Sequence, residues 1–243
     1  MSDPRGFVPI PEINDALKLV RDACKLGSSA TTWTRDQGVV VSARLGGFDF
    51  NQKTFSLKLP EGLDPRDFQD RMTRDPAIFI SCKTHDQTLF FKVTFSAIDP
   101  SQGLVILGLP ESVYRAQQRK HPRALVKDRR DIRLTHPDPA NRNRTLERRV
   151  YDLSLGGASL VLFYGEERHY HVRQRLEAIT LELAGLTIKT WGLVRHLQVF
   201  PPDSAMQGVQ LGVEFFNLGP VEKKAITTLV EEEIRRQFAA VEG

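Results

Sequence analysis

Apolar positions recur at two different periods, and the change of period divides the first half of the chain. Between residues 11 and 26, Ile13, Leu17, Val20 and Cys24 stand at helical spacing, with Gly27 as a stop. An amphipathic helix is predicted there. Beyond it the pattern turns to alternation and β-branched runs: Val39, Val40 and Val41, then Thr54 to Leu59, then residues 77–83, 87–98 and 103–109. Asp64 and Pro65 provide a cap and first turn for a short helix reaching about Met72. Asp99, Pro100, Ser101, Gln102 and Gly103 predict a hairpin between the last two runs. Residues 111–118 carry no strong periodic apolar face and read as a polar connector.

The second half is again dominated by short alternating runs. Residues 124–135 and 147–153 predict strands, and residues 136–145, with two prolines and two asparagines, predict a loop. An apolar run at 157–163 follows. Residues 176–183 and 186–200 face each other across Ala184 and Gly185 as a long hairpin. Val209, Leu211, Val213 and Phe215 share one face of a strand over 209–216. Pro220 then opens a helix with Val221, Ala225, Ile226, Leu229, Val230, Ile234 and Phe238 broadly on one side. About six short strands closed by one helix predict an antiparallel barrel.

Composition adds bounds. The 243 residues suit two domains, with 40% apolar and 26% charged residues as in an ordinary globular protein. Cys24 and Cys82 each sit in an apolar stretch, so buried thiols are expected rather than a disulfide framework. The first residues lack the apolar centre of a secretory signal, and no apolar run approaches the ~20 residues that span a bilayer. A soluble cytoplasmic protein without membrane insertion is expected.

Charge changes the picture more. Residues 115–149 hold twelve Lys/Arg against four Asp/Glu, although the whole chain is only +4. The positive charge is local, and it implies a local anionic partner.

Three places could carry chemistry. In Gln118-Arg119-Lys120-His121-Pro122-Arg123, Pro122 disfavours a helical His121, so the segment is extended or turned. Arg119 and Arg123 can then close their planar guanidinium forks on one anion, or stack on a base. Alone, this could equally be a solvated charge run. In Tyr151-Asp152-Leu153-Ser154-Leu155-Gly156-Gly157, Asp152 and Ser154 point to one side of an extended chain. The carboxylate can accept from the N1–H and N2–H₂ donors of guanine, with the Ser154 hydroxyl beside it. Gly156 and Gly157 permit a sharp turn and close approach of a ligand; an ordinary β-turn is the plainer reading. The third place, His169 and His171, lacks a nearby Cys or third His, so no metal is expected. Glu166 and Glu167 read as solvated, and the acidic and basic run at 231–236 as helical i,i+4 pairs.

R-x-x-x-R followed about thirty residues later by D-x-S-x-x-G resembles the PilZ domain signature. Arg119 and Arg123 match its first half; Asp152, Ser154 and Gly157 match its second. Leu211 to Phe215 is similar to the family's last strand, and the resemblance covers about residues 117–240. It implies a six-stranded antiparallel barrel with a C-terminal helix that binds cyclic di-GMP as a ligand and needs no cofactor. The arginines would clamp phosphate and guanine, and the Asp–Ser–Gly segment would line the barrel surface. The two-part organisation resembles the YcgR-type flagellar brakes. That likeness implies a mainly β chain of two β-barrel domains: a split-barrel type with an N-terminal helix over 1–112, a linker over 113–118, and a PilZ domain over 119–243. It also implies a protein partner such as a flagellar motor component, at the flagellar basal body.

Gln118 stands where many members carry a further Arg, which favours one ligand per chain, with Arg115 or Lys120 the residues that would compensate. Lys120, His121 and Pro122 occupy positions where relatives often have an aromatic residue. Gly156 and Trp191 are secondary ligand candidates, Trp191 for stacking on guanine. Three other readings stay open: a nucleic-acid-binding barrel with Phe200 or Tyr151 stacking, a PilZ fold serving as a ligand-independent interaction module, and an enzyme. No nucleophile elbow, P-loop or HExxH motif supports the last, and nucleic acid is the lesser expectation.

Overall fold

A computed structural model describes residues 6–35, 40–72, 77–84, 87–99, 101–116, 121–200 and 207–241. The chain divides into two compact units, residues 1–118 with 235–243, and residues 119–234.

The first unit contains β1 (Phe7–Pro9), α1 (Ile13–Lys25), β2 (Ser29–Trp33), β3 (Val40–Asp49), β4 (Thr54–Lys58), α2 (Pro65–Met72), β5 (Ala77–Lys83), β6 (Thr88–Asp99), β7 (Leu104–Gly108) and β8 (Val113–Ala116). Strands β6, β5, β2, β3, β4 and β7 pair in that order, and β7 pairs back to β6, closing a six-stranded antiparallel barrel. Strand β8 continues from β6, and β1 from β8. Closure leaves the ring of paired strands without an edge. Alternation along β5 sends Ile78 and Ile80 into the core with Leu57, Leu89, Phe91, Val105 and Leu107.

Helix α1 lies against β3. Its buried face is Ala16, Val20, Ala23 and Cys24, whereas Ile13 is exposed. Small alanines let the helix backbone approach the sheet, so the apolar stripe is rotated from the one read in the sequence. Cys24 and Cys82 are buried free thiols, and burial pushes each thiol up to about 12. Asp64 Oδ1 accepts from the Arg66 amide at 2.8 Å at the start of α2.

Residues 113–116, expected in a connector, are instead a strand. Val113 is buried opposite Phe91, and Tyr114 lies opposite Phe90. Four residues are too few for alternation to show as a pattern. A second cluster in this unit is aromatic. Phe238, in the C-terminal residues that group with this unit, meets Phe7, Trp33, Phe79, Phe90 and Tyr114 at centroid distances of 5.1 to 6.3 Å. The sequence reading places these residues in the domain over 119–243.

The second unit contains β9 (Arg123–Leu125), β10 (Ile132–Pro137), β11 (Thr145–Ser154), β12 (Gly157–Leu162), β13 (Arg175–Leu183), β14 (Leu186–Val199), β15 (Val209–Phe216) and the first part of α3 (Pro220–Val241). Strands β10, β13, β14, β15, β12 and β11 pair in order, and β11 pairs back to β10, a second closed six-stranded antiparallel barrel. Strand β9 adds to the side of β11. Leu134, Leu160, Ile179, Leu181 and Leu211 fill the interior, with Ile226, Leu229 and Val230 of α3 in the same cluster.

The run 124–135 is not one strand. A turn interrupts it, with the Arg129 amide donating to Val126 O and the Arg129 guanidinium held by Asp131 and Glu233, each at 2.6 Å. Glu233, part of the run read as helical i,i+4 pairs, is buried against that guanidinium. Strand β10 also runs further than expected, through His136 and Pro137, and His136 is fully buried. Its Nδ1–H donates to Pro137 O at 2.8 Å, which leaves Nε2 to accept from the Tyr170 hydroxyl at 3.3 Å. Glu166 and Glu167 are bound rather than solvated: Glu166 takes Arg148 at 3.1 Å and the Phe163 amide, and Glu167 takes the Gly165 amide. No helix among the described residues is long and apolar enough to cross a membrane.

Two outcomes follow from this packing. Phe238→Ala is expected to lower unfolding free energy by about 3–5 kcal/mol in denaturant titration, the usual cost of emptying an aromatic site. Burial holds His136 below the ordinary imidazole range, against the smaller opposite effect of its bond to Pro137 O. The unfolded state therefore binds the proton more readily. Stability present above the ordinary imidazole range is lost as pH falls through that range towards the lower folded value. The unfolding midpoint of wild type should fall more between about pH 7 and about pH 5 than that of His136→Asn.

Candidate functional site

Strand β9 carries the end of the R-x-x-x-R segment, and β11 carries the start of D-x-S-x-x-G. They are neighbours, with Arg123 directly opposite Ser154 and Leu125 opposite Asp152. The Arg123 Nη1 atom stands 3.6 Å from Asp152 Oδ1. That distance is ion-pair range but too long for a hydrogen bond. Arg123 is 39% exposed and Asp152 11% exposed by side chain, so the cation reaches solvent while the carboxylate is sunk beside it. Asp152 Oδ2 accepts from Gln210 Nε2 at 3.3 Å, whereas the buried Oδ1 accepts no hydrogen bond among the described residues.

The turn from β11 to β12 is built by the rest of the motif. The Ser154 hydroxyl donates to Gly157 O at 3.1 Å, across a pair of opposed residues. Gly157 adopts φ +156°, and a Cβ there would stand 2.1 Å from Val213 O on β15. Only glycine lets β12 start this close to β15. Beside it, His121 Cδ2 lies 3.0 Å from where a Gly156 Cβ would be. The described end of the first segment therefore rests directly on the second.

Gln118, Arg119 and Lys120 lie outside the described residues. Arg115 is on β8 of the first unit. Trp191 lies on β14, opposite Phe216. Its ring stacks on Phe216 at 4.2 Å with Arg175 Cζ 4.4 Å from its centroid, five residues along β14 from His196. Part of the basic window is tied up locally: Arg129, Arg133 and Arg148 pair with carboxylates, and Arg149 donates to Lys127 O. Among the described residues no three His, Cys, Asp or Glu side chains gather as metal ligands.

Register extends the site beyond the motif. Asp152 lies opposite Ser159, Ser159 opposite Gly212, and Gly212 opposite His196. Directly opposed residues of antiparallel strands share a face, so these four form one row across β11, β12, β15 and β14. Ser159 is fully buried, and its hydroxyl has no hydrogen-bond partner among the described residues. The His196 ring lies over Gly212, where a Cβ would come within 2.0 Å of Cε1. Burial, then Arg123, lowers the His196 pKa, and Asp152 opposes them. Ser159, His196 and Gln210 were not found by sequence reasoning. A signal in the sequence was Gly212, a glycine inside an alternating strand, which marks a close approach.

No family model and no curated protein matches the sequence. Solved structures do align with the chain, MrkH and YcgR among them. The chain is similar to MrkH of K. pneumonia, solved in complex with c-di-GMP, at 16% identity over 98% of this chain and 100% of that one, with TM-score 0.43. It is similar to YcgR from Escherichia coli in complex with c-di-GMP at 17% identity over 95% of each chain, with TM-score 0.40. The PilZ domain of YcgR with c-di-GMP aligns at 17% identity with 52% of this chain and 98% of its own, with TM-score 0.42.

The turn geometry yields one prediction. Gly157→Ala should push β12 from β15 and cost about 1–3 kcal/mol. Urea denaturation checks this, and an unchanged midpoint would mean the contact with Val213 O relaxes freely.

Proposed function

We propose that the second barrel binds cyclic di-GMP and that the protein is a cytoplasmic receptor rather than an enzyme. The observation that carries this is the meeting of Arg123 with Asp152 and the Ser154–Gly157 turn on adjacent strands. The ligand offers two phosphates and two guanines. An exposed guanidinium suits a phosphate oxygen or the Hoogsteen edge of guanine. The Asp152 carboxylate has one oxygen ready to accept from a guanine N–H. An acceptor carboxylate beside an exposed guanidinium is suited to holding a nucleotide.

Arg119 completes the clamp in this proposal. Closing both arginines on one ligand fixes the chain between residues 118 and 123 and so biases the orientation of the two units. A protein partner such as a flagellar motor component then reads that orientation, and the outcome is control of motility. The local pairing of Arg129, Arg133 and Arg148 favours this reading over a nucleic-acid surface, because those charges are already neutralised.

The test is calorimetric titration with cyclic di-GMP, GTP and cyclic AMP. Wild type should prefer cyclic di-GMP, with a shallow salt dependence set by about two phosphate charges. Arg119→Ala and Arg123→Ala should each lose tenfold or more in affinity, about 1.5–3 kcal/mol for a charged hydrogen bond, with unchanged circular dichroism. Wild-type affinity in both variants would eliminate the clamp. Chromatography of the incubated ligand should show it intact.

A further inference from the structure

Two buried polar atoms on one face of the second barrel lack hydrogen bonds among the described residues: Asp152 Oδ1 and Ser159 Oγ. Native proteins leave few such atoms, and each calls for a reason. These two are on directly opposed residues. Their row continues through Gly212 to His196.

Three features set the imidazole in that row. Strand β14 is irregular between Val194 and His196, so the residue is re-aimed relative to plain alternation. Gly212 lacks the Cβ that would collide with the ring. Arg195, the neighbouring cation, is drawn to Glu214 with its Nε at 2.6 Å. Strand β11 has a matching irregularity between Val150 and Asp152 at the other side of the row. Bulges gather beside binding sites because they change where a side chain points.

We propose that His196 is a further nucleotide-contacting residue that closes the site on the side away from Arg123. This rests on reading the surface as the cyclic di-GMP site. Three interstrand steps separate Asp152 from His196, roughly 14 Å through the backbone, and the ring reaches back over Gly212. That span suits a ligand with two bases. The groups sharing the face with His196 are Arg123 on β9, Asp152 on β11, Ser159 on β12, and Gln210 and Glu214 on β15. The positive charge of Arg123 on the same face favours the neutral imidazole. It offers a flat face to a purine and one N–H to a phosphate oxygen.

The experiment titrates cyclic di-GMP into the full chain as wild type, His196→Ala, Gly212→Ala and the double variant, with thermal unfolding alongside. His196→Ala should weaken binding about tenfold without moving the unfolding midpoint. Gly212→Ala should weaken it comparably by displacing the ring, and should add little when His196 is already alanine. If Gly212→Ala does not fold, His196→Ala and His196→Gln decide the matter, with both expected to weaken binding. His196→Ala within about twofold of wild type overturns the role of His196 and leaves the Arg123–Asp152 site standing. Independent, multiplying losses in the two single variants also overturn it. Absence of binding in wild type overturns both.

Discussion

The pairing of β9 with β11 is the constraint on which the site depends. It is a short contact, three residue pairs long, added to the side of a barrel that is already closed without it. Yet it alone brings Arg123 to Asp152, two residues separated by most of the hairpin β10–β11. A closed barrel cannot easily slip its register, because every strand is held on both sides. Strand β9 is held on one side only. The arginine-bearing segment is thus attached to a fixed wall by few bonds, an arrangement in which a ligand can alter the segment without disturbing the wall.

The wall has the composition that suits a candidate binding surface. The inward positions of β11, β12 and β15 are Leu153, Leu160, Leu211 and Val213, which fill the core. The outward positions between them are small or polar: Asp152, Ser154, Gly157, Ser159, Gln210 and Gly212. Small residues let a ligand approach the backbone, and the polar ones offer donors and acceptors of defined direction. Two of these polar atoms are sunk without hydrogen bonds among the described residues, which costs the apo fold stability. A surface that only had to be soluble would gain by exposing them.

How much was legible in the sequence follows the length of each pattern. Residues 77–83 and 209–216 alternate for long enough to give their strands without error. The long hairpin across Ala184 and Gly185 was equally plain. Strands β1, β2 and β8 were not read, because three to five residues carry too little periodicity. Arg123 and the Asp152–Gly157 segment stood out as candidates through their motif. His196 and Ser159 did not, since each is one polar residue in an alternating run, and only register places them beside Asp152. Phe238 looked like one more apolar residue of a helix face; its aromatic partners are supplied by strands more than a hundred residues away. Arg119, on which half of the motif depends, lies outside the described residues.

The most direct measurement is residue-resolved NMR of the full chain as cyclic di-GMP is added. Binding across this row predicts that the largest shifts fall on Arg123, Asp152, Ser159 and His196, with the core strand β13 nearly silent. Shifts that avoid this row, or no shifts at saturating ligand, would contradict it.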